Sequence, residues 1–195
     1  MSEDWIHRFF RYAEDISNEE MQALWGKILA GEVKHPKTYS LRTLELVKNL
    51  TQEEGALFQR IANFAIHTEN ATFLFDKDWD LLESKYGIEF NDISKMIEAG
   101  IIHSDIHAEY RLHQVDQPVC NSFKVGEYLI MVEKKAFVPE INLRVRLFTR
   151  SGSELLKLIK SNPPLDYILD FTKACKMQDV KVKYKNLGAD IEEVL

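Results

Sequence analysis

The chain has 195 residues, near the upper end of ~100–200 residues for one domain, so one domain with two subregions or two small domains both fit. With 45% hydrophobic and 29% charged residues the composition is globular, which excludes a disordered, collagenous or disulfide-stapled chain. Lys plus Arg number 25 and Asp plus Glu 31, a net charge of −6 that argues against a strongly cationic nucleic-acid coat protein.

The first 66 residues read as helices. Trp5, Phe9, Ala13 and Ile16 share one helical face. Ser17 is placed to cap a second helix, with Glu20 as its capping-box partner. That helix aligns Met21, Leu24, Trp25, Ile28 and Leu29, and Gly31 is a plausible stop. Ser40 caps a third helix, Leu41 to Leu50. Thr51 opens a fourth with Glu54 at the capping-box position and an inner face of Leu57, Ile61, Phe64 and Ala65. Short connections between four helices suggest an antiparallel bundle. The aromatic residues Trp5, Phe9, Phe10, Trp25, Phe58 and Phe64 are assigned to its core.

Beyond His67 the pattern changes. Ala71 to Phe75 is a short apolar run rich in β-formers. Asp78 to Tyr86 reads as a helix closed by Gly87, and Asn91 as the cap of a helix from Asp92 to Ala99. From Ile102 to His113 apolar and polar residues alternate, as in a half-buried strand or hairpin. Strands are expected at 122–125, 127–133 and 142–149. Ser151-Gly152 reads as a break, followed by helices over 153–159 and 165–176 and a strand over 180–184.

The order helix, helix, strand, hairpin after residue 75 is that of a winged-helix unit. Glu98-Ala99-Gly100-Ile101-Ile102 looks like a recognition helix entering a wing. Phe148-Thr149-Arg150-Ser151-Gly152-Ser153-Glu154-Leu155 looks like the element that often follows one. The stretch 103–140 exceeds an ordinary wing and must hold extra strands. The expectation is therefore an α+β chain: an antiparallel helical bundle over 1–66 and a winged-helix-like α+β domain with additional strands over 67–195.

A run of the helical front carries a resemblance. Asp15-Ile16-Ser17-Asn18-Glu19-Glu20-Met21-Gln22-Ala23-Leu24-Trp25-Gly26-Lys27-Ile28-Leu29-Ala30-Gly31-Glu32, then Pro36, Ser40-Leu41-Arg42-Thr43-Leu44 and Leu50-Thr51-Gln52-Glu53-Glu54, is similar to a bacterial protein family of unknown function. It also resembles the helical repeat of alpha-type abortive-infection proteins, which are linked to phage defence. The match covers residues 5–66, and 148–160 extends it loosely. The resemblance carries no catalytic residue over. Members of the family often run longer at the N-terminus than this chain. Gly26 and Ala30 beside bulky Leu and Trp suggest tight helix packing.

No phosphate-binding glycine loop, dinucleotide fingerprint, serine-hydrolase elbow or zinc-protease helix motif occurs. His103, Asp105, His107, Glu109 and His113 have the residue types of a metal site. However, positions i and i+4 on one strand lie ~13 Å apart, so a hairpin would be needed to join them. Cys120 near His113 and Asp116 has the types of a nucleophile site without a geometry to support it. Cys175 reads as a buried hydrophobe. Asp76, Asp78 and Asp80 lack the glycine and terminal glutamate of a calcium loop and read as a helix start.

Charge is uneven: residues 1–100 hold 11 Lys/Arg and 18 Asp/Glu, residues 101–195 hold 14 and 13. In the helix at 91–99, Lys95 faces outward with Asp92 and Glu98, a poor match to a DNA-reading surface. Arg144, Arg146 and Arg150, with Lys95, are the candidates for phosphate contact. With no ~18-residue apolar run, no secretory signal and two cysteines, the sequence points to the cytoplasm without a membrane partner. The reading is a non-catalytic interaction or regulatory module. It engages a protein partner or itself, needs no cofactor or metal, and has a link to phage defence or stress. The alternative is a nucleic-acid-binding winged-helix protein.

Overall fold

The computed structural model describes residues 2–14, 16, 18–105, 107–188 and 191–194. It is α+β, with helices and one antiparallel sheet. Four helices lead: α1 (Glu3–Ala13), α2 (Glu19–Lys34), α3 (Leu41–Asn49) and α4 (Gln52–Ala62). Their starts are locally encoded. Ser2, Ser40 and Thr51 cap α1, α3 and α4, and Thr51 with Glu54 forms the reciprocal capping box the spacing calls for. The box expected at Ser17 and Glu20 falls on side chains outside the described residues; Asn18 Oδ1 accepts from Met21 N at 3.1 Å.

Trp5 stacks on Phe9 at 5.2 Å, and Phe9 meets Trp25 edge-on at 5.2 Å. Phe58 and Phe64 are also buried. Phe10, expected in this core, is 59% exposed because it follows Phe9 by one position and so leaves the buried face.

Gly31 does not stop α2, which runs on to Lys34. A Cβ at Gly31 would lie 2.8 Å from the Tyr39 ring, so the glycine lets the returning chain pack against the helix. Glu32, 2% exposed, accepts from Lys37 N (2.7 Å) and Tyr39 N (3.0 Å) and so ties the turn. Tyr39 O accepts from Trp5 Nε1 at 2.8 Å. Gly26 makes no tight contact; a Cβ there would meet nothing within 4 Å.

Phe64 and Ala65 leave α4 rather than completing its inner face. Ala65 begins β1 (Ala65–His67), which turns through Thr68 into β2 (Thr72–Phe75). The boundary drawn after residue 66 thus falls within a strand. Then follow a 3-10 turn at Lys77–Trp79, α5 (Leu81–Tyr86) and α6 (Phe90–Glu98). The helix expected from Asp78 starts only at Leu81, because Asp78 (φ 58°) and Trp79 (φ 63°) are both left-handed. Glu89, not Asn91, caps α6, with Asp92 as its reciprocal partner.

The expected strand over 102–113 is β3 (Glu109–Leu112) alone, with Ile102 in an isolated bridge to Phe148. Side chains take the intervening donors: Asp105 N donates to His103 Nδ1 and His107 N to Asp105 Oδ1, in competition with a ladder. Ile106 lies outside the described residues. The chain continues through β4 (Val119–Val125), β5 (Tyr128–Lys134), β6 (Ile141–Leu147), α7 (Arg150–Leu156), α8 (Leu165–Cys175), β7 (Val180–Asn186) and β8 (Ile191–Val194). Ser151-Gly152 lies inside α7 instead of breaking the chain.

The strands form one antiparallel sheet in the order β3-β6-β2-β1-β4-β5-β7-β8. Residues opposite one another share a face. Register therefore puts Phe73, Phe75, Tyr110, Leu143 and Val145 together, and α8 covers them. Phe171 meets Phe75 (5.4 Å) and Phe123 (5.0 Å). Tyr167 Oη accepts from Phe75 N at 2.7 Å and donates to Phe75 O at 3.2 Å. One apolar core continues from Trp5 to Tyr184.

Lys134 is 2% exposed, and its Nζ donates to Leu112 O (2.7 Å) and His113 O (2.9 Å). Burial lowers the amine's proton affinity. It fastens the end of β3 to β5, strands that are not neighbours in the sheet.

Candidate functional site

The helical front meets the rest of the chain where α7 packs on α3. Two features of the 148–155 element make that seam. Gly152 sits where a Cβ would run into the Ile101 carbonyl, so only glycine lets α7 approach the end of α6. Thr149 caps α7, bonding Gly152 N, and donates its own hydroxyl to Gly100 O at 2.6 Å.

One turn on, Glu154 is 5% exposed and reaches across to α3. Its Oε2 accepts from Ser40 N (2.6 Å) and Thr43 Oγ1 (2.6 Å), and its Oε1 from Arg150 Nε (2.9 Å). Burial pushes the carboxyl's pKa up, but the bonds from Ser40, Thr43 and Arg150 outweigh it and hold the group below the ordinary carboxylate range. The same carboxylate serves the positive end of α3.

Along this seam runs a cleft of about 1010 Å³, walled by α3, the end of α6 and the start of α7. Arg42, Glu45, Leu46 and Asn49 line it from α3 at i, i+3, i+4 and i+7, one stripe of the helix. Leu41, Leu50 and Ala99 add apolar surface, and Glu54, Glu98 and Arg150 add charge. Many charges elsewhere are paired, but Arg42, Glu45 and Glu98 are exposed and make no ion pair among the described residues. Ser151, 2% exposed, also lines the cleft, and its Oγ has no hydrogen-bond partner among the described residues.

The residues singled out for phosphate contact are spread apart. Arg150 lines the cleft and bonds Glu154. Lys95 pairs with Glu53 at 2.7 Å, joining α6 to α4. Arg144 and Arg146 are grouped around Trp79, with guanidinium carbons 5.7 and 4.8 Å from the ring centroid. Arg144 pairs with exposed Asp78 (3.3 Å), whereas Arg146 and Asp76 pair at 3.2 Å while both are buried. Asp76 also accepts from Leu82 N, so it is a joint between β6 and α5.

The histidines do not converge. His103 engages Asp105, His107 lies edge-on to Trp79 at 5.6 Å and His113 bonds Glu140 at 2.7 Å. Among the described residues no three His, Cys, Asp or Glu side chains are grouped to hold a metal ion. Cys120 is exposed on β4; Cys175 is buried, which pushes its thiol up to about 12.

Sequence reasoning missed Glu154, Arg42, Glu45 and Glu98. For Glu154 the available signal was its place in the Thr149-to-Leu155 element, two residues beyond Gly152. No helix among the described residues is long and apolar enough to cross a membrane. No curated protein and no solved structure matches the chain. A family model described as "protein of unknown function (DUF2806)" matches residues 1–172, and the chain belongs to that family.

Proposed function

We propose that the chain is a non-catalytic interaction or regulatory module that engages a protein partner, in the cytoplasm, at the α3–α6–α7 cleft. The observation that carries this reading is the cleft itself. It is large, partly apolar and lined by Arg42, Glu45 and Glu98, exposed charges of both signs that make no ion pair among the described residues. Exposed charges of opposite sign left unpaired in a concavity are groups a partner can satisfy. Affinity capture from cell extract, with light scattering on the purified protein, tests it. A specific partner or a dimer is expected; a strict monomer that retains nothing would overturn it. A role in phage defence or stress rests on the resemblance of the helical front. It is tested by plaque counts on cells with and without the gene.

The second reading is nucleic-acid binding by a winged-helix-like unit. Its support is the order α5, α6, strand, hairpin and the two arginines on β6. At Arg144, Arg146, Arg150 and Lys95 a phosphate would have to displace Asp78, Asp76, Glu154 and Glu53 respectively. A duplex-DNA band shift at ~50 mM salt, lost in Arg144→Ala, would support it; no shift would remove it.

A further inference from the structure

We infer that the cleft takes a short partner segment with an acidic side chain at one end, apolar side chains between, and a basic side chain at the other. This rests on the interaction-module reading and names the partner's chemistry. The cleft is polarised along α3. At one end, Arg42 stands in the first turn of α3, and Arg150 is carried there by its bond to Glu154, whose other oxygen holds Ser40 N. Leu46, Leu50 and Ala99 supply apolar surface beyond that end, and Leu41 adds to it beside Arg42. Further along, Glu54 follows Leu50, while Glu45, one turn on from Arg42, and Glu98 on the α6 wall add negative charge.

Charge complementarity selects among occupants. A purely anionic segment meets Glu45, Glu54 and Glu98. A purely cationic one meets Arg42 and Arg150. A bipolar one satisfies both ends and lays its apolar residues on the leucines. From Arg42 to Leu50 is eight residues of helix, ~12 Å at ~1.5 Å per residue. An extended segment covers that span in about four residues at ~3.3 Å each. The acidic and basic side chains are thus expected four residues apart.

Fluorescence anisotropy with four labelled 12-residue peptides tests this. Each has a central Leu-Ala-Leu flanked by Glu and Lys, Glu and Glu, Lys and Lys, or Gln and Gln. The Glu/Lys peptide is expected to bind about tenfold more tightly than the other three. Arg42→Glu and Glu98→Lys are each expected to weaken it about tenfold. Both side chains are exposed, and circular dichroism checks that both variants fold. Equal binding of the Lys/Lys peptide, indifference to both substitutions, or no binding by any peptide would overturn the inference. Affinity capture separates the two levels. A partner held equally by wild type and by the double variant would keep the interaction reading and sink the cleft. A dimer that the double variant abolishes would make a second copy the occupant and overturn the partner segment.

Discussion

Glu154 is the most consequential side chain in the seam, and its removal has a calculable cost. In Glu154→Ala, Ser40 N–H and the Thr43 hydroxyl, with Thr43 fully buried, lose an ionised acceptor at 2.6 Å each. A buried donor left unpaired costs ~1–3 kcal/mol. Arg150, with 79% of its side chain exposed, returns to water and adds little. The expected loss is therefore about 3–5 kcal/mol, a large share of the ~5–15 kcal/mol that holds an ordinary domain folded. Glu154→Gln keeps the shape and one acceptor oxygen for Ser40 and Thr43 but loses the charge and sets an amide donor against Arg150, and is expected to cost about half as much. The pH dependence carries a sign. Because the folded carboxyl titrates below its ordinary value, the unfolded chain takes up this proton first. The stabilisation is present above the unfolded pKa of ~4.3 and is lost as pH falls through the folded value. Urea unfolding between pH 7 and pH 3 measures both effects, and Glu154→Gln should show a shallower acid decline than wild type. A Glu154→Ala protein within ~1 kcal/mol of wild type would show that Ser40 and Thr43 find other acceptors and that Glu154 does not hold the seam.

Arg146→Ala leaves buried Asp76 unpaired and should cost ~3–5 kcal/mol, while Arg144→Ala, an exposed pair, should cost under ~1 kcal/mol; urea midpoints of the two variants distinguish them. Gly152→Ala should lower the thermal midpoint steeply, with a cost of ~3 kcal/mol or more, because α7 must back away from Ile101; a midpoint near wild type would show that the seam gives easily. Asp78→Gly should stabilise by about 0.5 kcal/mol, since glycine relieves a left-handed residue while only an exposed pair is lost. Mass spectrometry after brief thiol alkylation should find Cys120 modified in the native protein and Cys175 only after unfolding.

What the sequence makes legible is local. Thr51 and Glu54 stand three residues apart, so their capping box follows from spacing, as do the caps at Ser40 and the stop at Gly87. The strands at 72–75, 119–125, 128–134 and 141–147 are close to expectation because apolar and β-forming residues mark them. β1 escapes notice because three residues carry too little pattern, and its start reads as the last turn of α4. Gly31 and Gly152 read as breaks because glycine has two uses. Whether it ends a helix or admits a close neighbour is decided by Tyr39 and Ile101, which the local pattern does not place. The left-handed pair Asp78 and Trp79 has no glycine to announce it. The cleft is the least legible part: α3, the end of α6 and the start of α7 come together there, and Glu154 lies 114 residues from the Ser40 amide it holds. Arg144 and Arg146 alternate on β6 and Arg150 opens α7, but their spacing does not reveal the carboxylates that face them.

If the α3–α6–α7 cleft is a docking site, amide chemical-shift mapping of the isotope-labelled protein titrated with the Glu/Lys peptide shows saturable shifts concentrated at residues 40–50, 98–100 and 149–154, absent in the Arg42→Glu, Glu98→Lys double variant. Shifts centred on β4, β5 and β7, or none at saturating peptide, would contradict it.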